Sequence, residues 1–294
     1  MEIIVITSLT NPKIKRLMQL RDKTRLRNKE GVFIVEGGRM FLELPKEETV
    51  ELYVTEDFLN FIKDKKKPAK KMECFEGQYE VVSDAVFARI SDTVTPQGVL
   101  AVVRQRKYGT EDLLTGNVSV QTSEQTQEQT FGRSFRQTAG ERKVPLLLLV
   151  EDLQDPGNLG TMFRTAEAAG ASGVIMSRET VDIYNPKAVR STMGSIFRMP
   201  FLYADSLKEI IGEMKRRGIA VYAAALHHSL HYTEADYQKG CGILIGNEGK
   251  GLRQETVEAA TQAVSIPMQG GVESLNASVS AAVLLYEAAR QRNM

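Results

Sequence analysis

Three short segments of the chain gather residue types that can do chemistry. The first, Asp155-Pro156-Gly157-Asn158-Leu159-Gly160-Thr161-Met162-Phe163-Arg164, comes directly after the apolar run LLLLV. Asn158 is suited to capping a helix start, and Leu159, Met162, Phe163 and Ala166 then recur at helical spacing, one apolar face. Arg164 lies about 140° around that helix from Leu159 at 100° per residue, so it leaves the core face. A guanidinium there can grip a phosphate or steady a developing oxyanion. The second segment, Gly246-Asn247-Glu248-Gly249-Lys250-Gly251, follows the apolar run 243–245 and combines three glycines with a carboxylate. Such a loop lets a ligand approach the backbone closely. It is neither a Walker A loop nor G-x-G-x-x-G, since Gly251 follows Lys250 and Glu stands at 248. The third, Ile266-Pro267-Met268-Gln269-Gly270-Gly271-Val272-Glu273-Ser274-Leu275-Asn276, opens a helix rich in Ala and Ser. Amides at a helix start suit an anionic or polar ligand, with Ser274 and Asn276 placed to hydrogen-bond it. Taken singly, each segment also fits ordinary structure: a surface arginine, a tight strand–helix turn, close helix packing.

These residues need a scaffold that fixes strand ends and helix starts. Candidate strands at 146–150, 174–176, 220–224, 243–245 and 264–266 alternate with candidate helices near 159–169, 187–193, 206–217, 252–260 and 276–290. Near-continuous apolar strands in such alternation predict a parallel sheet covered on both faces. Ligands of such sheets sit beside the C-terminal strand ends. Gly170 is placed to end the 159–169 helix in left-handed backbone. Nearer the N-terminus, strands at 32–35, 50–54 and 98–103 alternate with helices at 12–27, 39–44, 56–63 and 84–90, with Ser83 set to cap the last. Residues 117–130, NVSVQTSEQTQEQT, lack the large apolar groups that would offset their ordering entropy. The expected division is a small α/β domain at 1–108, a flexible linker or insertion at 109–143, and a parallel α/β domain at 144–294.

The 294 residues carry 38 Lys+Arg against 37 Asp+Glu, a formal net charge of +1. That excludes a strongly basic chain, so contact with nucleic acid must rest on local charge. Residues 11–29 supply it through Lys13, Lys15, Arg16, Arg21, Lys23, Arg25, Arg27 and Lys29, with Asp22 the only acid. Such a run is either a phosphate footprint or a solvated helix face. Cys74 and Cys241 are the only cysteines, too few for a disulfide-dense secreted scaffold or a four-Cys zinc site. No run reaches the roughly 18 apolar residues of a membrane helix, and the partly apolar start is too short for a signal segment. A reduced, cytoplasmic protein with no membrane contact and no metal is expected. His227, His228 and His231 follow the 220–224 run and suit surface positions better than a metal site.

In order and wording the three segments, D-P-G-N-L-G-x-x-x-R-T-A, I-G-N-E-x-x-G-L and I-P-M-x-G-x-x-x-S-L-N-x-S-V, resemble motifs 1, 2 and 3 of the SpoU/TrmH-type RNA 2′-O-ribose methyltransferases of the SPOUT superfamily. The resemblance spans roughly residues 146–290. Nearer the start, S-L-x-N-P-K-I-K, L-R-D-K and G-x-F-x-V-E-G are similar to the substrate-binding domain that often precedes that catalytic domain. The resemblance implies an α/β fold with a C-terminal parallel sheet tied in a trefoil knot, plus a small N-terminal α/β RNA-binding domain. It implies S-adenosyl-L-methionine as methyl donor. It also implies a homodimer with the active site near the subunit interface, which favours an interface role for the small-residue C-terminal helix.

By motif position, Gly246, Ile266 and Leu275 would hold the donor, largely through backbone groups, and Asn158, Arg164, Glu248, Ser274 and Asn276 would form the catalytic set. Arg164 matches the family's essential arginine. Free arginine is always protonated, so a clamp on phosphate and developing alkoxide is a less demanding role than general base. Asn158 would position Arg164 or the ribose, Glu248 would orient its neighbours, and Ser274 and Asn276 would bond substrate or donor. Methyl transfer from a sulfonium asks for orientation, proton removal and exclusion of water rather than a metal. With an RNA enzyme behind it, the basic N-terminal helix becomes an RNA grip built on Lys13, Arg16, Arg21, Lys23, Arg25 and Arg27. Lys187 and Arg190 would touch RNA or be ordinary helix charges. Ribosomal RNA is the expected substrate, transfer RNA the second. The competing readings are a non-catalytic RNA-binding protein of the same fold and a nicotinamide enzyme, against which the missing G-x-G-x-x-G counts.

Overall fold

The computed structural model of the chain describes residues 4–63, 65–75, 77–115, 144–226 and 228–292. A short strand, β1 (Val5–Ile6), leads into the stretch 12–27, which folds as two helices and not one: α1 (Pro12–Asp22) and α2 (Thr24–Glu30). Between them Lys23 is extended, with φ −119° and ψ 104°. Arg27 explains the break. Its side chain is buried and donates to the carbonyls of Leu20 and Arg21 at 2.8 and 2.9 Å. A cation thus closes the open carbonyl end of α1, where the helix favours one.

The chain continues through β2 (Val32–Glu36), α3 (Gly38–Glu43), β3 (Thr49–Val54), α4 (Glu56–Ile62), α5 (Lys66–Glu73), β4 (Glu80–Val82), α6 (Asp84–Ile90) and β5 (Val99–Arg104). Ser83 caps α6, accepting from the Val86 amide, as its position predicts. The five strands lie in the order β1-β4-β3-β5-β2. β5 runs antiparallel to β2 and β3, while β4 runs parallel to β1 and β3. β1 and β4 escape sequence reading because two or three residues are too few to show alternation. Ile14, Leu17 and Leu20 of α1 close one face of this sheet together with Val86, Phe87 and Ile90 of α6.

The expected linker begins later than 109. Residues Thr110–Leu114 form α7, whose Leu113 and Leu114 are buried in a core with Ile211 and Met214. An apolar pair at one turn's end is enough to anchor a short helix. Residues 117–130 lie outside the described residues.

Then follow β6 (Leu146–Val150), α8 (Pro156–Ala168), β7 (Gly173–Ser177), α9 (Pro186–Ser191), β8 (Phe201–Ala204), α10 (Leu207–Arg216), β9 (Ala220–Ala224), β10 (Leu230–His231), β11 (Cys241–Ile245), α11 (Gln254–Ala259), β12 (Gln262–Ser265) and α12 (Ala277–Gln291). The strands form one seven-stranded sheet in the order β10-β12-β9-β11-β6-β7-β8, parallel throughout. β6 and β11 are central and buried along their whole length, as a sheet covered on both faces requires. Because every strand points the same way, β6, β11, β9 and β12 all end at one edge.

Packing divides the described residues into two compact units. One holds residues 4–107, 153–165 and 179–197; the other holds 108–115, 144–152, 166–178 and 198–292. Each unit contains one of the two sheets. Among the described residues no helix is long and apolar enough to cross a membrane.

Candidate active site

The start of α8 is set by Asp155 and not by Asn158. Pro156 takes the first helical position, where its missing N–H costs nothing. Asp155 Oδ1 then accepts from the Asn158 amide at 2.7 Å, and Oδ2 pairs with Lys187 Nζ at 3.0 Å. The Asn158 amide, and after it Lys187, hold the Asp155 carboxyl below the usual carboxylate range. Asn158, expected as the cap, therefore sits half-buried inside the first turn. Gly160 explains itself sterically: a Cβ there would stand 2.5 Å from the Ala188 carbonyl oxygen and 2.5 Å from Ser191 Cβ. Only glycine lets α8 press this closely on α9.

Leu159, Met162, Phe163 and Ala166 are buried, and Gly170 follows the helix in left-handed backbone with φ 76°, both as the spacing predicts. Arg164 projects from the other side of α8. It is exposed and has no hydrogen bond or ion pair among the described residues. Six positions along the helix, about 9 Å of axial rise, separate it from Asn158.

In the other unit, the edge where β6 and β11 end is organised by three residues not singled out from the sequence: Glu151, Asn247 and Arg253. Asn247 Nδ2 donates to the Asp152 carbonyl at 2.7 Å. Its Oδ1 accepts from the amides of Gly249 and Lys250, both at 2.9 Å. Its backbone exchanges two 3.0 Å bonds with Gly251. Arg253 places its amide on Glu151 at 2.7 Å and its guanidinium on Asp152 at 2.6 Å. The Thr256 hydroxyl occupies the second Glu151 oxygen at 2.6 Å. Asp152 adopts left-handed backbone, φ 55°, steadied by mutual 2.8 Å bonds with the Ser177 hydroxyl. A signal for Glu151 did exist: an acid directly abutting five buried aliphatics must have partners.

The loop closed by Asn247 is tight. A Cβ on Gly246 would lie 2.4 Å from the Gly251 carbonyl carbon, so no other residue fits. Glu248 is exposed on this loop. Two strands away, about 10 Å at normal strand spacing, β12 runs out into the segment 266–276. From Met268 to Leu275 no backbone amide has a hydrogen-bond partner among the described residues. Ile266 and Leu275 are half-buried there and Ser274 is exposed. Asn276 caps α12, its Oδ1 accepting from the Ser278 and Val279 amides and from the Ser278 hydroxyl. The sheet edge thus gathers Gly246, Glu248, Ile266, Ser274, Leu275 and Asn276, while Asn158 and Arg164 stand on α8. Of the small residues on α12, Ala277, Ser278 and Ala281 are buried within the chain. Ser280 and Ala282 are half-buried, and Val279 and Tyr286 are the exposed apolar positions of α12.

The basic N-terminal helices are less available than their charge predicts. Lys13 is paired with Glu80. Arg16 is paired with Glu30 and Glu51 at 2.6 and 2.8 Å. Arg21 donates to the carbonyls of Arg89 and Ser91 at 2.8 and 3.0 Å. Arg27 is 2% exposed and bound to Asp182 at 2.6 Å, so it cannot meet a phosphate. Lys23 and Arg25 are exposed. Arg190 is paired with Asp92 at 2.8 Å. Among the described residues no group of three or more His, Cys, Asp or Glu side chains is placed to hold a metal ion. His231 Nδ1 lies 2.7 Å from the Thr233 hydroxyl, and His227 falls outside the described residues.

Against known proteins, residues 145–286 match the SpoU rRNA Methylase family and residues 11–101 match the MRM3-like substrate binding domain. The 23S rRNA (guanosine(2553)-2′-O)-methyltransferase RlmP of Bacillus subtilis (strain 168) is 31% identical over 281 residues, 96% of this chain and 97% of that protein. The crystal structure of AdoMet bound rRNA methyltransferase from Sinorhizobium meliloti superposes with a TM-score of 0.75 at 28% identity, covering 98% of each chain. The SpoU methyltransferase AviRb from Streptomyces viridochromogenes, in complex with the cofactor AdoMet, gives 0.76 at 25% identity, over 96% of this chain and 98% of that one. A parallel-sheet edge with these three motif loops defines a methyl-transferring enzyme of RNA. The chain belongs to the SpoU rRNA Methylase family.

Proposed function

We propose that the chain transfers the methyl group of S-adenosyl-L-methionine to a ribose 2′-hydroxyl of ribosomal RNA. The observation that carries this reading is the edge where β11 and β12 end. There the Gly246 loop is closed on itself, and the amides of 268–275 are left open to a ligand. Main-chain groups of this kind fit a donor that offers ring nitrogens, ribose hydroxyls and a carboxylate. When bound, that donor supplies a methyl carried on a sulfonium. Gly246, Ile266 and Leu275 hold it, and Glu248, Ser274 and Asn276 border it. Arg164, charged and uncommitted, grips the RNA phosphate and stabilises charge growing on the 2′-oxygen. Asn158 bonds the ribose.

In this reading residues 1–108 bind the RNA, with Lys23 and Arg25 on its phosphates, and residues 144–294, with α7 packed into their core, perform the transfer. The parallel sheet is threaded as a trefoil knot. The enzyme works in the cytoplasm as a homodimer that meets its copy through Val279 and Tyr286 of α12. Calorimetric titration with S-adenosyl-L-methionine tests the donor site, and mapping of ribose methylation in cells lacking the protein tests the substrate. The expected results are saturable binding and one lost 2′-O-methyl on ribosomal RNA. Absence of donor binding both with and without total RNA would leave the chain an RNA binder.

A further inference from the structure

The sequence holds a second basic run beside the one at the N-terminus. Residues 63–71 carry six lysines against Asp64, and Lys63, Lys65, Lys66, Lys67 and Lys70 are all exposed. This run borders a cavity of about 660 Å³ walled by Phe58, Phe61, Ile62 and Pro68, with Arg39, Gln97 and the carboxylate of Glu43 as polar groups. Phe61 is 61% exposed, unusual for a large apolar ring with no core task. The Lys65 ammonium stands 4.1 Å from the centre of that ring. Arg39 is exposed and has no hydrogen bond or ion pair among the described residues. Gln97 is fixed by accepting the Gly38 amide at 2.7 Å, which leaves its amide nitrogen as a donor.

We propose that this cavity takes one unstacked nucleobase of single-stranded RNA, with the flanking phosphates running over the lysines of α5 and the turn before it. The inference rests on the RNA-modifying reading above and names a contact point for that substrate. Each part has its chemical reason. A flat aromatic wall stacks any base, because every base has a π-face. Arg39 and the Gln97 amide supply hydrogen-bond partners for a base edge. The lysine rim matches a polyanion and does not match an uncharged apolar peptide.

The test uses the full chain and a fluorescein-labelled single-stranded RNA of about 12 nucleotides, a length within the usual range of such grooves, followed by anisotropy across a salt series. Phe61→Ala should weaken binding about ten-fold or more and leave the salt dependence unchanged. Lys65→Ala/Lys66→Ala/Lys67→Ala should lower the slope of log affinity against log salt by about 2, the value for three single-strand phosphates. All four side chains are exposed, so the fold does not depend on them. Wild-type affinity in Phe61→Ala overturns the base pocket; an unchanged slope in the triple variant overturns the phosphate path. Titration of the wild-type protein with S-adenosyl-L-methionine reports separately on the proposed function, so failure of one is not mistaken for failure of the other.

Discussion

Asn247 bridges two strand ends: its Nδ2 donates to the Asp152 carbonyl at 2.7 Å, across 95 residues of sequence. The same side chain accepts two amides of its own loop, so one residue both shapes the Gly246 loop and ties it to β6. Asn247→Ala removes all three bonds and leaves the Asp152 carbonyl and two amides to find water. The expected cost is about 1–3 kcal/mol of stability, with S-adenosyl-L-methionine affinity lowered as the loop loosens. Denaturant unfolding and calorimetry on the same variant check both. Unchanged donor affinity alongside lowered stability would detach this loop from donor binding.

Arg164 should separate activity from stability. Its side chain is exposed and makes no hydrogen bond or ion pair among the described residues, so Arg164→Ala should leave the unfolding midpoint within experimental scatter. Methyl transfer should fall by about 10²–10³, the usual effect of deleting a group that stabilises a developing oxyanion. Transfer of a labelled methyl to RNA, measured beside a melting curve, decides. Retained transfer would show that α8 does not carry the reaction.

The Asp155 carboxylate offers a test by pH. Its acidity is increased in the folded chain by the Asn158 amide first and by Lys187 next. A depressed carboxylate stabilises the fold above its unfolded value, near 3.9, and that contribution disappears as pH falls through the lower folded value. The group is 44% exposed, so screening keeps the effect modest, comparable to an N-cap at about 1 kcal/mol. Asp155→Ala should therefore be less stable than the wild type by a constant amount between about pH 5 and 8. The two stabilities should converge below about pH 4. A difference that grows on acidification would contradict the sign.

Arg27→Ala should cost stability and spare RNA binding. The change leaves the Asp182 carboxylate and the carbonyls of Leu20 and Arg21 without their cation. Breaking a buried pair from one side costs about 3–5 kcal/mol. The salt dependence of RNA affinity should stay as in the wild type, because the residue never faced a phosphate. Urea unfolding and salt-series anisotropy measure the two halves of this expectation.

Much of this was legible because it is local. The spans of β6, β9 and α6 follow from apolar runs and one serine cap, and the left-handed Gly170 follows from the end of a periodic stripe. Arg27 was misread because charge tells nothing of its partner, and Asp182 lies 155 residues away. The α8 cap was misplaced because Asp155 and Asn158 are both good cap residues, and the proline between them decides in favour of the first. The role of the α12 small residues depended on the sheet they cover, which periodicity alone does not supply. Asn247 and Arg253 were invisible in the same way: each acts across roughly a hundred residues on the end of β6.

The strand order also governs how the protein is born. Leu146 of β6 pairs in register with Cys241 of β11, yet the ribosome makes β6 first. At about 5–20 residues per second, the free edge of the LLLLV strand waits roughly 5 to 20 s for its neighbour to be synthesised. During that interval β7 can cover one side of β6, while the other presents unpaired main chain on an apolar ribbon, the kind of edge that recruits a second chain. Yield in cells should then respond to translation speed and holding chaperones more than to the stability of the finished sheet.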